Sequence, residues 1–172
     1  MGRDIEDILK EGEFKSSYKK RKNSKVKGNK YENDVAKRLN KLFNTDEFQR
    51  TPGSGAFATT HTLPEHLHIS GDLITPKNFN YSIECKKGYS VDFGDIFKGS
   101  STIIGFIKQA ERDIKKTNKK FLILYKKDYR DEIVIVDEEF PIQKEVRLNG
   151  KYFIYLSKDF FKLPYNVFFS KK

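Results

Sequence analysis

Phe121-Leu-Ile-Leu-Tyr125 is apolar at every position, and Ile133-Val-Ile-Val136 repeats the pattern a few residues later. Side chains alternate across a strand, so a strand with no polar face is buried on both sides. Two stripes of helical spacing supply the covering layers. Val35, Ala36, Leu39, Leu42 and Phe43 mark a helix over 28–43, and Ile103, Ile107, Ala110 and Ile114 mark another over 102–116. Further strands are expected at 47–50, 81–86 and 151–156, with a helical turn at 159–163. This order of elements predicts an α/β fold, a mixed central β-sheet flanked by helices.

The stretch from Gly71 to Lys87 reads G-D-L-I-T-P-K-N-F-N-Y-S-I-E-C-K-K. Its second half follows a Pro-Lys-Asn turn signal and has strand composition. Alternation then puts Ile83 and Cys85 on the core face, and Glu84 and Lys86 together on the other. Asp72 lies on the preceding apolar segment. A hairpin of the two segments would gather three charged groups at its open end. Two carboxylates suit a hard divalent cation, and a neighbouring ammonium can orient or polarise a water. A solvated hairpin face carrying a Glu and a Lys is the alternative.

The net charge is +10, from 34 basic and 24 acidic residues. A surplus of this size points to a polyanionic partner, most simply nucleic acid, against the alternative of a Lys-rich solvated surface. The single cysteine excludes an internal disulfide framework. No apolar run is long enough to span a bilayer and no signal sequence leads the chain. The expected location is the cytoplasm, the host's if the chain is viral.

The chain divides on composition into a flexible basic N-terminal arm, 1–27, and one folded domain, 28–172. The arm holds a short apolar pattern at 4–9 and the run Tyr18-Lys-Lys-Arg-Lys-Asn-Ser-Lys-Val-Lys-Gly28, whose like charges keep it extended. Glu32 falls on or beside the buried stripe of the first helix, an unusual place for a carboxylate. Two readings stay open. It completes a capping box with Asn29, or it points over the sheet toward Asp72 and Glu84. Gly53-Ser54-Gly55 allows close approach of backbone to another molecule, or is an ordinary loop. His66 and His68 could ligate a metal, but nothing else stands at zinc spacing. The aromatic C-terminal segment either stacks on bases or packs the core.

The order of K-G-N-K-Y-E (27–32), R-T-P-G-S-G (50–55), G-D (71–72) and I-E-C-K (83–86), followed by a helix bearing Gln109, resembles the PD-(D/E)XK nuclease superfamily. Within it, the pattern is most similar to the Holliday junction resolvases of archaeal and phage type. The resemblance covers about 27–137. It implies a restriction-endonuclease-like core and a Mg²⁺-dependent endodeoxyribonuclease, with Mn²⁺ able to substitute. The catalytic residues it implies are Glu32, Asp72, Glu84 and Lys86. The metal would be held by Asp72, Glu84 and the backbone carbonyl of Cys85, with Glu32 as a further ligand. DNA phosphates would meet Lys27, Lys30, Arg50, Ser54, Lys108 and Gln109. The implied partners are branched DNA and a second copy in a homodimer, with no membrane. Two alternatives stand beside it. One is a nuclease of the same fold acting in restriction, flap trimming or end processing, and the other is a non-catalytic nucleic-acid-binding protein. The longer segment before Asp72, the arm and the aromatic C-terminus depart from the pattern.

Overall fold

A computed structural model describes residues 24–52, 70–89, 91, 94, 98–115 and 117–170. The apolar pattern at 4–9, the basic run up to residue 23, Gly53, Ser54, Gly55 and the three histidines lie outside the described residues. Helix α1 spans Ser24–Phe43, followed by β1 (Gln49–Arg50), β2 (Leu73–Ile74) and β3 (Tyr81–Lys87). Helix α2 (Ser101–Ile114) precedes β4 (Lys120–Lys126), β5 (Ile133–Val136), β6 (Val146–Leu148) and β7 (Tyr152–Leu156). Two short helices, α3 (Ser157–Phe160) and α4 (Tyr165–Phe168), close the chain.

Five strands form one sheet in the order β3-β4-β5-β7-β6. Strands β3 and β4 run parallel, because α2 carries the chain back between them. The remaining pairings are antiparallel. The sheet is therefore mixed and flanked by helices, as the two all-apolar strands require. Alternation along β4 explains the layers. Leu122 and Leu124 pack with Val35, Ala36 and Leu39 of α1, while Phe121, Ile123 and Tyr125 pack with Ile103, Ile107 and Ala110 of α2.

Most of the C-terminal aromatics belong to the α1 side, with Tyr152 on the α2 side. Tyr155, Phe160 and Phe168 are fully buried, and Phe160 meets Phe140 edge-on at 5.5 Å between centroids. Core packing thus takes most of the rings that could have stacked on bases, leaving Tyr165 exposed. Among the described residues, no helix is long and apolar enough to cross a membrane.

The first helix starts at Ser24, four residues earlier than the apolar stripe suggested. Asn29 is therefore inside the helix and cannot cap it, which removes the capping-box reading of Glu32. The expected hairpin between the Asp72 segment and β3 also takes another form. Strand β2 pairs with β1 antiparallel, and Gly71 touches Ile83 through a single parallel bridge.

That bridge depends on glycine. Gly71 has φ +82°, and a Cβ there would lie 2.4 Å from the Ile83 carbonyl oxygen and 2.9 Å from Ser82 Oγ. Any side chain meets both a backbone clash and a left-handed conformation. Gly71→Ala is expected to cost at least about 2 kcal/mol of folding stability. A urea titration against the wild-type chain checks this, and an unchanged midpoint would contradict the close approach.

Candidate active site

The Gly71 approach places the next residue. Asp72 N–H donates to the Ile83 carbonyl at 2.8 Å, and the Asp72 carboxylate accepts from the Cys85 N–H at 2.8 Å. Thr51 locks the same turn from the other side. Its N–H donates to the Asp72 carbonyl at 2.9 Å and its hydroxyl to the Gly71 carbonyl at 3.2 Å. The carboxylate of Asp72 is thus fixed against β3, alongside Glu84-Cys85-Lys86.

Strand alternation does the rest. Ile83 and Cys85 enter the core under α1, while Glu84 and Lys86 point to the α2 side. Lys86 Nζ donates to Glu84 Oε1 at 2.5 Å and to Gln109 Oε1 at 3.1 Å. Gln109 Nε2 in turn donates to Glu84 Oε1 at 2.7 Å. The ammonium also lies 5.4 Å from the centre of the Phe106 ring. Gln109 and Phe106 both come from α2, so the helix holds the pair in one orientation. The face is not solvated: Glu84 is buried, at 4% exposure.

Glu32 reaches the same region from α1 and is buried. Its partner is Arg50, whose Nε donates at 2.7 Å, and Arg50 also donates to Asn29 Oδ1 at 3.1 Å. An open cleft of about 490 Å³ is lined by Glu32, Asp72, Lys86, Lys87 and Tyr89, with Lys25 at its rim. Removing Arg50 leaves a buried carboxylate without its cation. Arg50→Ala is therefore expected to lose about 3 kcal/mol, and pairing it with Glu32→Gln should recover much of that loss. Chemical denaturation of the single and double variants checks both, and equal stability of the two would contradict the pairing.

The charges in the site act on one another. Burial, then the Glu84 charge, pushes the Asp72 carboxyl up to about 7, against the Cys85 N–H and Lys86. Burial also raises the Glu84 carboxyl, with Lys86 opposing. Burial alone would lower the Lys86 ammonium, but Glu84, by charge and hydrogen bond, and Asp72 overcome it and hold the proton more tightly than usual. The Cys85 thiol is raised well above its ordinary value by burial first and by the surrounding carboxylates.

The donor set fits a small hard cation. A divalent charge would relieve the Asp72 carboxylate, whose proton affinity burial and the Glu84 charge raise, and the Cys85 backbone carbonyl could add a further oxygen. Among the described residues, no group of three or more His, Cys, Asp or Glu side chains is gathered for a metal. Few protein ligands suit Mg²⁺, which keeps several waters.

Lys27, Lys30 and Lys108 are exposed, as phosphate contacts require. Arg50 and Gln109 are engaged within the site, with Glu32 and with Glu84 and Lys86. Sequence inspection missed Thr51, which is 2% exposed. It sits inside the R-T-P-G-S-G run, where the glycines draw attention. Its signal was a hydroxyl next to the short strand that carries Arg50.

The family model described as "Phage putative PDDEXK endonuclease" matches residues 23–169. Protein D14 of Escherichia phage T5 is 24% identical over 96 residues, covering 56% of this chain and 60% of that protein. The chain thus matches less than two thirds of that relative's length. No solved structure matches the chain.

Proposed function

We propose, from the premise that this chain belongs to the phage PDDEXK endonuclease family, that it is a metal-dependent endonuclease for branched DNA. The observation that carries this reading is that Asp72 and Lys86 line one open cleft, with Asp72 held against the Glu84-Cys85-Lys86 strand by the Gly71 approach and Glu84 bonded to Lys86 and Gln109.

Asp72, Glu84 and the Cys85 carbonyl would hold a divalent cation, Mg²⁺ with Mn²⁺ as substitute. That cation supplies charge neutralisation at the scissile phosphate and acidity to the attacking water. Lys86 keeps its proton beside Glu84, so it serves as a cation rather than a base. It orients the water and balances charge that builds on the phosphate oxygens. Gln109 holds Lys86 and Glu84 in register. Glu32, fixed by Arg50, adds negative potential to the same cleft and takes a supporting role in holding the cation. Lys27, Lys30 and Lys108 offer contacts to the flanking phosphates, as does Ser54 of the Gly-Ser-Gly sequence. The phosphodiester bond is hydrolysed with water as the nucleophile.

Four-way junctions are the substrate proposed first. Resolution of a junction needs two symmetric cuts, which a homodimer delivers. The experiment is a panel of labelled four-way junction, flap, single-stranded and linear duplex DNA incubated with Mg²⁺. Paired symmetric nicks in the junction support the assignment. Cutting of flap or linear DNA with the junction untouched overturns the junction while keeping the site.

A further inference from the structure

Strands β3 and β4 are parallel and in register, with Lys87 opposite Lys126. Whatever follows either strand leaves the sheet at the same edge. After β3 comes Gly88 and then Tyr89, on the wall of the catalytic cleft. After β4 comes the turn Lys127-Asp128-Tyr129-Arg130, closed by the Arg130 N–H donating to the Lys127 carbonyl at 3.2 Å. The two exits are tied together: the Gly88 N–H donates to the Lys126 carbonyl at 3.3 Å.

Tyr129 at the tip of this turn is unlike every other ring of the chain that is described. It is 103% exposed, whereas most other aromatics are buried in the core. It also has φ +62°, a left-handed conformation that a bulky side chain adopts only at a cost and that glycine adopts freely. An exposed aromatic in the position of a turn glycine gains nothing for folding. Strain of this kind persists where function uses it.

The surroundings are cationic. Lys126 and Lys127 precede the ring and Arg130 follows it, with Lys87 across the strand pair. The Lys126 ammonium donates to the Arg130 carbonyl, which braces the turn. Asp128 is the acid within the turn itself, and Asp131 just beyond it is met by Lys158 at 3.4 Å. Glu84 lies three residues back from Lys87, roughly 10 Å along the strand. That is about three base pairs of duplex, and the turn begins just beyond Lys126, the residue paired with Lys87.

We propose that the β4–β5 turn is a stacking wedge, with the Tyr129 ring taking an unpaired or unstacked DNA base beside the cut. This inference rests on the nuclease reading and sharpens it, because continuous duplex offers no free base face and a branch point does. Stacking on an aromatic is tolerant of sequence and strong enough to set a preference for structure.

The test compares wild type, Tyr129→Gly and Tyr129→Phe on branched and linear DNA, in chelator so that binding is read without cutting. A fluorescent adenine analogue placed at the branch point reports stacking directly. Tyr129→Gly is expected to bind branched DNA about tenfold more weakly, to change linear duplex binding little, and to lose the quenching of the analogue. Tyr129→Phe keeps all three. Tyr129→Gly should also melt no lower than wild type, since glycine relieves the turn. Equal affinity of Tyr129→Gly and wild type for branched DNA overturns the wedge. Cleavage with Mg²⁺ is scored separately. A wild-type chain that cuts while Tyr129→Gly binds normally removes the wedge alone, and quenching without any cutting removes the nuclease alone.

Discussion

Glu84→Ala is expected to lower DNA cleavage by at least about a thousandfold while leaving DNA binding largely intact. The size of the effect follows from the number of things one carboxylate does. It is a buried anion on β3, the acceptor for Lys86 at 2.5 Å, and the acceptor for Gln109 at 2.7 Å. Removing it takes away a proposed cation ligand, and it removes the charge that holds the Lys86 proton against burial. Binding survives because the exposed lysines of α1 and α2 are elsewhere on the surface. Turnover and fluorescence anisotropy measured on the same preparation separate the two effects. Unchanged turnover would remove Glu84 from the chemistry.

Asp72→Asn is expected to abolish cleavage and yet stabilise the cation-free protein at alkaline pH. The sign follows from linkage. The folded-state carboxyl sits at about 7 against an ordinary 3.8. Below about pH 4 the carboxyl is protonated in both states, and its contribution is fully present. Between 4 and 7 the unfolded chain ionises while the folded chain does not, so stability falls with rising pH. Above 7 the loss is complete, at about 4 kcal/mol by the conversion of three pKa steps. Asparagine carries no charge and can still accept from the Cys85 N–H. The variant should therefore match wild type near pH 4 and melt higher near pH 8. Adding Mg²⁺ should raise the melting temperature of wild type and leave the variant unmoved. A variant that melts lower than wild type at pH 8 would contradict the burial of a repelled charge.

Much of the fold was legible because two strands lacked a polar face and two segments had helical stripes. The strand that carries Glu84 and Lys86 was legible from its alternation. Alternation alone separated Ile83 and Cys85 from Glu84 and Lys86, and the structure keeps that division. What sequence could not give was contact between distant positions. Arg50 finds Glu32 across eighteen residues, and Gln109 finds Glu84 across twenty-five. Neither pairing has a local signature. The hairpin expectation failed because the close approach of Gly71 to Ile83 depends on one positive φ angle, which the string G-D does not reveal. The capping box failed because α1 begins in lysine-rich sequence with no apolar stripe. Strand β6 and helix α4 went unseen for want of length. Tyr129 reads in sequence like any strand-end tyrosine, and only its exposure and its φ angle distinguish it.

The central claim is that Asp72, Glu84 and Lys86 form a cation-dependent site that cuts within a DNA strand. The most direct measurement is nicking of covalently closed circular DNA, which has no ends, with Mg²⁺ and with chelator. The account predicts conversion to nicked circles with Mg²⁺ only, and none with Glu84→Ala. Circles left closed by the wild-type chain under every divalent ion, or nicked equally in chelator, would contradict it.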